Sequence, residues 1–401
     1  MTIIRSIRAG LALSALISAS AAASLLVVPA TAPTTRDGAP RWEKNALPIA
    51  VNALQINELA IGVDVMLQGE TLRITRTRAK ALPDGTLVWH GAVSGPARRT
   101  PAPEPDTAVF VRSGDRITGN IRYGGRHFFL QPTAAGHRWA EIDPLLLPPD
   151  HATEESPFPL IRLSMDQTPE PLPVTTEPTV IHALVVATRN AVADYSGDMR
   201  DLAQLAIAET NESFRNSGIN ASVELVAYVP LPYDQNPFSP DLDLKRLIRR
   251  GDGVMDYVHG LRDEIKADVV MLLTTSPANN PGCGRAGRTG ATAETAFAQI
   301  DWRCGTGRYT FAHELGHLLG ARHDIDTDTL PYPFGHGYRS DSRTPPLLSI
   351  MAQCPDTGDC IRLNLWSNLS TIVEGQPLGD PDWSDNHRAL EISKYIVAGF
   401  R

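Results

Sequence analysis

The sequence predicts an α/β (α+β) domain built on a twisted mixed sheet over residues 179–401, preceded by a β-rich unit over 31–143. Three observations predict it. Before residue 143, apolar and polar residues alternate between glycine-marked turns, the period-two signature of strands. After residue 179, strand-like runs alternate with helical apolar spacing, the order that covers an open sheet with helices. Between them, residues 144–178 hold nine of the chain's 32 prolines, which forbids regular helix and favours extended, solvated chain.

Residues 1–30 read as a secretory signal. Arg5 and Arg8 supply a positive start, Ala9 to Ile17 an apolar stretch, and Ser18 to Ser24 small residues for cleavage. A second apolar run, Leu25 to Val28, leaves the cleavage point open as far as Ala32. The apolar part is short for a bilayer span and no later segment is apolar enough to cross one. No membrane span is therefore expected after signal removal.

In the β-rich unit, strands are expected at Ile61–Leu67, Thr71–Thr75, Thr86–His90, Ala108–Arg112, Ile117–Tyr123 and His127–Leu130. Asp84-Gly85 and Gly124-Gly125 are their turns. His90, His127 and His137 are scattered and read as ordinary surface or core histidines. The Pro-rich linker is where proteolytic nicking, and so activation cleavage, is expected.

In the C-terminal half, Val180–Val186, Ser222–Val229 and Asp268–Leu273 read as strands. Asp198–Asn216 is a helix by its apolar spacing, with Gly218 as its stop. Leu242–Ile248 and Val254–Ile265 are further helices, and Glu294–Trp302 is expected as an edge strand. Near the end, Leu390, Ile392, Ile396 and Val397 in Asp385–Phe400 form a stripe expected to pack on the core.

Hydrophobic content of 42% and charged content of 20% describe a globular chain. The net charge of −8, with no Lys/Arg block, argues against nucleic acid as a partner. Residues 176–401 alone hold 20 Lys and Arg against 29 Asp and Glu, a net −9.

That acidic half carries the chemistry. His313-Glu314-x-x-His317 puts two imidazoles on one helical face, able to grip one metal ion, with the Glu314 carboxylate beside them. Gly320 follows three residues later and His323 three after that. A straight helix would carry His323 away; a glycine tolerating positive φ lets the chain turn and return it as a third ligand. Three imidazoles with one open position make a catalytic zinc site rather than a closed structural one, so one Zn2+ is expected. Glu314 is then placed as general base on the attacking water and as proton donor to the leaving amine. A thiolate metal site is the competing use of Cys283, Cys304, Cys354 and Cys360, but no C-x2-C spacing occurs. Four cysteines allow three disulfide pairings; Cys283–Cys304 with Cys354–Cys360 is expected, each closing a loop beside the metal helix or Met351.

The pattern H-E-x-x-H-x-x-G-x-x-H, with Ser349-Ile350-Met351-Ala352 downstream, resembles the metzincin clan of zinc peptidases, and Asp324 after the third histidine looks like the reprolysin branch. The resemblance implies that Met351 forms an apolar floor beneath the histidines rather than a ligand, and that an edge strand binds extended substrate. In some metzincins a Tyr stands two residues after this Met; here it is Gln353. Asp324 is open between orienting the site and lying on the surface of the acidic run Asp324–Asp328; calcium binding by that run lacks an EF-hand-like loop.

Residues 180–390 are more closely similar to the bacterial peptidyl-Asp metallopeptidases of Asp-N type. The similarity rests on Ala208-Glu209-Thr210-Asn211, Ala267-Asp268-Val269-Val270, Cys283-Gly284-Arg285-Ala286, Phe311-Ala312-His313-Glu314, Gly335-His336-Gly337-Tyr338, Ile350-Met351-Ala352 and Trp366-Ser367-Asn368. It implies a secreted endopeptidase acting on protein or peptide substrates, cleaving on the amino side of Asp; the chain is expected to be a monomer. A substrate carboxylate then needs a cation in its pocket, since a buried charge is costly unless paired. Arg339 is the favoured candidate, ahead of Arg343, Arg285 and Arg288. Residues 1–175 contain no cysteine, so inhibition by the chain's own prodomain must use bulk or a carboxylate such as Asp143, Asp150 or Asp166 near the zinc. The alternatives are a broad-specificity reprolysin-like peptidase and a catalytically silent binding protein on a metzincin shell; the retained Glu314 speaks against the second.

Overall fold

In the computed structural model of this protein, residues 24–28, 42–96, 103–150, 177–236, 239–276, 282–326, 328–355 and 360–401 are described. Most of the signal expected at 1–30, most of the linker at 144–178, and Asp166 lie outside them.

The N-terminal strands are β1 (Leu26–Val28), β2 (Glu43–Ile49), β3 (Gly62–Leu67), β4 (Glu70–Ala81), β5 (Leu87–Ser94), β6 (Thr107–Ser113), β7 (Arg116–Tyr123), β8 (Arg126–Thr133) and β9 (Gly136–Ile142). They form one sheet in the order β1-β3-β4-β5-β6-β7-β8-β9-β2. From β3 to β9 it is an antiparallel meander, in which short turns carrying Gly69, Gly85, Gly114 and Gly124-Gly125 join four of the neighbour pairs. Part of the second apolar run, Leu26–Val28, is thus not loose chain: it pairs parallel with β3. The expected strands are all present, while β2 and β9 were not legible, lacking clean alternation.

The second sheet contains β10 (Thr179–Ala187), β11 (Ala221–Pro230), β12 (Val269–Thr274), β13 (Gly284–Ala286) and β14 (Phe297–Asp301), ordered β11-β10-β12-β14-β13. All neighbours are parallel except β13, which runs antiparallel to β14. This corrects one expectation: the strand within Glu294–Trp302 is not the edge. Every residue of β14 is buried between β12 and β13, and the short β13 forms the rim. Around the sheet are α1 (Arg189–Asp194), α2 (Met199–Asn216), α3 (Pro240–Ile248), α4 (Tyr257–Glu264), α5 (Trp302–Gly305), α6 (Thr310–Leu318) and α7 (Asn386–Val397). Asp198 caps α2 by accepting from the Arg200 N–H, and Gly218 follows its end at φ +71°. The α7 stripe is buried at Leu390 and Val397, but Ile396 is 49% exposed, facing solvent one position off the stripe. Beyond α6 lie β15 (Arg339–Ser340), β16 (Leu347–Leu348) and β17 (Ile361–Arg362), a small sheet in that order, and the hairpin β18 (Asn368–Val373) with β19 (Gln376–Leu378). No described helix is long and apolar enough to cross a membrane.

The two sheets share a core. Trp42, Val88, Val109, Val111 and Phe129 of the N-terminal unit belong to the same buried cluster as Leu202, Leu205 and Ala206 of α2. Polar pairs fix the contact: Asn120 donates to Glu209 at 2.6 Å, the Gly307 N–H donates to the other Glu209 oxygen at 2.7 Å, and Tyr309 donates to Glu104 at 2.9 Å. Burial pushes the Glu209 carboxyl up to about 7 despite these donors and Arg122. Because the folded chain holds that proton more tightly than the unfolded chain, stability from this group is full below about pH 4.5 and falls as pH rises towards 7. Glu209→Gln, which mimics the protonated form, should gain on the wild type by on the order of 1–3 kcal/mol between pH 4.5 and pH 7.5. Thermal unfolding at both pH values checks this, and a pH-independent difference would refute it.

Candidate metal centre and active site

Helix α6 is buried along its whole length, so its side chains are held by packing rather than by solvent-facing chance. It ends in a Schellman arrangement: the Gly320 N–H donates to the His317 carbonyl and the Ala321 N–H to the Gly316 carbonyl, both at 2.8 Å. Gly320 sits at φ +91°, and a Cβ there would strike Pro331 and Tyr332 at 2.8 and 2.9 Å. The turn expected from its glycine is the turn observed, and it returns His323 to the helix face.

His313 Nε2 and His317 Nε2 lie 3.1 and 3.0 Å from His323 Nε2. Ligands held tetrahedrally at a zinc–nitrogen distance of about 2.05 Å would stand roughly 3.3 Å apart, so this spacing fits one small ion. The other ring nitrogens are engaged: His313 Nδ1 is 2.8 Å from the Ile350 carbonyl and His317 Nδ1 is 2.9 Å from the Ala321 carbonyl. Donation from Nδ1 to these carbonyls sets the tautomer whose Nε2 lone pair could bind a metal. His323 Nδ1 lies 3.4 Å from Asp326 Oδ1 and 3.1 Å from the Gln353 amide nitrogen. Gln353 thus contacts His323 from the position where some metzincins carry Tyr.

Glu314 is fully buried, and no side chain donates a hydrogen bond to its carboxylate, which meets the Ala286 N–H. Burial pushes its carboxyl well above the ordinary range; the Arg285 charge opposes this, Asp150 reinforces it and Arg362 opposes it. A Cβ at Gly284 on β13 would overlap the Glu314 carboxylate, so only glycine lets the rim strand pass this close. A buried carboxylate with no side-chain donor, beside three converging imidazoles, fits a metal with its water.

Met351 is completely buried, and a Cβ on Gly316 of α6 would come within 2.7 Å of its sulfur. It lies in a turn closed by the Ala352 N–H donating to the Ser349 carbonyl at 3.1 Å. Asp324 ties the two halves of the site: it accepts from the Gln353 N–H at 2.8 Å and faces Arg339 at 3.5 Å. Of its two readings, the orienting one matches this geometry. Both disulfides pair as expected, Cys283–Cys304 and Cys354–Cys360, with Cα separations of 5.5 and 5.7 Å.

The arginines named from sequence are distributed differently. Arg339 also pairs with Asp341 at 3.1 Å, Arg343 with Glu374 at 2.7 Å, and Arg285 with Asp241 at 2.9 Å, while Arg288 is buried. Of the carboxylates, Asp143 pairs with Lys44 at 2.6 Å. Asp150 is held by two arginines that sequence reasoning missed, Arg308 at 2.9 Å and Arg362. Burial alone would raise the Asp150 carboxyl, but these guanidiniums hold it well below the usual range. Their one sequence signal was position: Arg308 stands two residues before α6 and Arg362 two after Cys360.

The model of metallo-peptidase family M12 (Reprolysin_5) matches residues 177–363. A peptidyl-Asp metalloendopeptidase of Stenotrophomonas maltophilia (strain K279a) is 38% identical over 345 residues, covering 84% of this chain and 82% of that protein. One from Xanthomonas campestris pv. campestris is 37% identical over 368 residues, covering 89% and 86%. The likeness therefore extends beyond the matched domain into the N-terminal sheet. With its metal-binding geometry and with relatives this similar across both units, the chain is a metalloendopeptidase and belongs to the family of the peptidyl-Asp metalloendopeptidases within M12.

Proposed function

We propose that the protein is a secreted zinc endopeptidase, made as a precursor, that cleaves peptide bonds on the amino side of Asp with Glu314 as general base. The observation that carries this reading is the convergence of His313, His317 and His323 on one point beside the buried Glu314 carboxylate. A bound zinc ion supplies Lewis acidity at the fourth position, polarising a carbonyl and acidifying water. Glu314 takes the proton of the attacking water and passes it to the leaving amine. β13, the last strand of the sheet, offers main-chain groups to an extended substrate once the precursor segment is removed. The apolar, Arg-led N-terminus supports export, and relatives named for peptidyl-Asp cleavage support the specificity. The N-terminal unit, packed on α2 and reaching Gly307 and Tyr309 just before α6, supports a role as the chain's own inhibitor.

A peptide library digested by the secreted protein tests this. Cleavage before Asp, abolished by a chelator and restored by Zn2+, is expected. Chelator-resistant cleavage would remove the metal from the reaction, and a preference for large apolar residues after the cut would remove the Asp specificity.

A further inference from the structure

Three residues of the N-terminal region, Pro148 to Asp150, reach the active-site rim of the C-terminal domain. The Cys283 N–H donates to the Pro149 carbonyl at 2.8 Å, and the Gly284 N–H donates to the Asp150 carbonyl at 3.2 Å. These donors stand at the start of β13, the last strand of the sheet, so the segment gains the main-chain bonds that an extended peptide would use. Gly284 is also the residue packed against Glu314. Asp150 therefore lies at the catalytic centre, within electrostatic reach of both Glu314 and His313.

Its side chain enters a site built for a carboxylate. Arg308 Nε and Nη2 lie 3.0 and 2.9 Å from Asp150 Oδ1. Arg362 Nη1 reaches the same oxygen at 3.0 Å while its Nη2 donates to Oδ2, a two-point grip. The Cys354 N–H stands 3.4 Å from Oδ2. The arginine side chains are only 12% and 7% exposed, and among the described residues the ion pairs of both go to Asp150. Without that carboxylate two nearly buried cations would face each other, which is costly until another anion arrives. The walls are rigid: Arg308 is fixed just ahead of α6, and Arg362 on β17 donates to the Ala352 carbonyl at 2.8 Å, in the turn that carries Met351. Arg339 and Arg343, by contrast, pair with carboxylates in their own part of the chain.

We propose that Arg308 and Arg362 form the pocket that selects a substrate Asp next to the cut, and that Asp150 occupies this pocket in the precursor as a substrate mimic that blocks it. The proposal rests on the Asp specificity proposed above. It places the inhibitory carboxylate on the arginines, and it explains how a domain of net −9 accommodates an acidic side chain.

The full chain, freshly secreted and before processing, serves as the test. Initial rates are measured on a quenched peptide with Asp after the scissile bond and on its Asn counterpart. Asp150→Ala should raise the initial rate on the Asp peptide at least 10-fold, and the near-isosteric Asp150→Asn should do the same. Asp143→Ala, whose carboxylate pairs with Lys44, should behave as wild type. After processing, Arg362→Gln should lower the Asp-to-Asn ratio of kcat/KM about 100-fold, and Arg362→Lys should recover part of it. Equal initial rates for wild type and both Asp150 variants, or a ratio unmoved by Arg362→Gln, would overturn the proposal. A wild type that cuts peptides without preferring Asp would instead refute the specificity, and the Asp150 variants alone would then judge the block.

Discussion

Glu314→Gln will lower kcat/KM on a peptide substrate by about 10²–10⁴-fold while leaving one metal ion bound per chain. The substitution keeps the size and burial of the side chain and removes its capacity to accept a proton. Among the described residues the other carboxylates near the histidines are engaged: Asp326 with His323, Asp324 with the Gln353 N–H, and Asp150 with Arg308 and Arg362. The three imidazoles take their orientation from carbonyls and from Asp326, so they have no need of Glu314 to stay in place. Metal analysis of the purified variant alongside its kinetics separates the two roles. Loss of the metal together with activity would show that Glu314 is needed to build the site; retained activity would show that another group is the base.

The second large effect is on stability. Replacing Cys283 and Cys304 together by Ser should cost about 3 kcal/mol in urea unfolding, the loop-closure entropy expected for a separation of 21 residues. The bridge does more than close a loop. It anchors the residue just ahead of β13 to α5, and β13 is the rim next to Glu314. The double variant should therefore also weaken peptide binding at that edge, seen as a raised KM. A loss below about 1 kcal/mol would mean that packing of the fully buried residues 283 and 304 holds the rim unaided. The six-residue separation of Cys354–Cys360 predicts a smaller effect, about 2 kcal/mol.

How much was legible follows from how local each signal is. The long strands and helices were readable because burial on one face imposes a period, as in β3 or α2. Strand β2, with Pro48 and interrupted alternation, was not, since its place at the end of the sheet relaxes the pattern. The apolar run in 297–301 was read as a strand but assigned to the edge. Periodicity reports that a strand is buried and cannot report which neighbours bury it.

The sequence by itself determined the reactive core of this protein: two histidines one helical turn apart, a carboxylate beside them, and a glycine whose freedom at positive φ returns the third ligand. Those constraints act within a dozen residues, so spacing alone carries them. Only the tertiary structure decided which strand forms the rim, which sheet face covers α2, and which arginines meet a carboxylate. Asp150 reaches Arg308 and Arg362 across 158 and 212 residues of chain. A charge pairs with whatever packing brings to it, and no local pattern records a partner that far away.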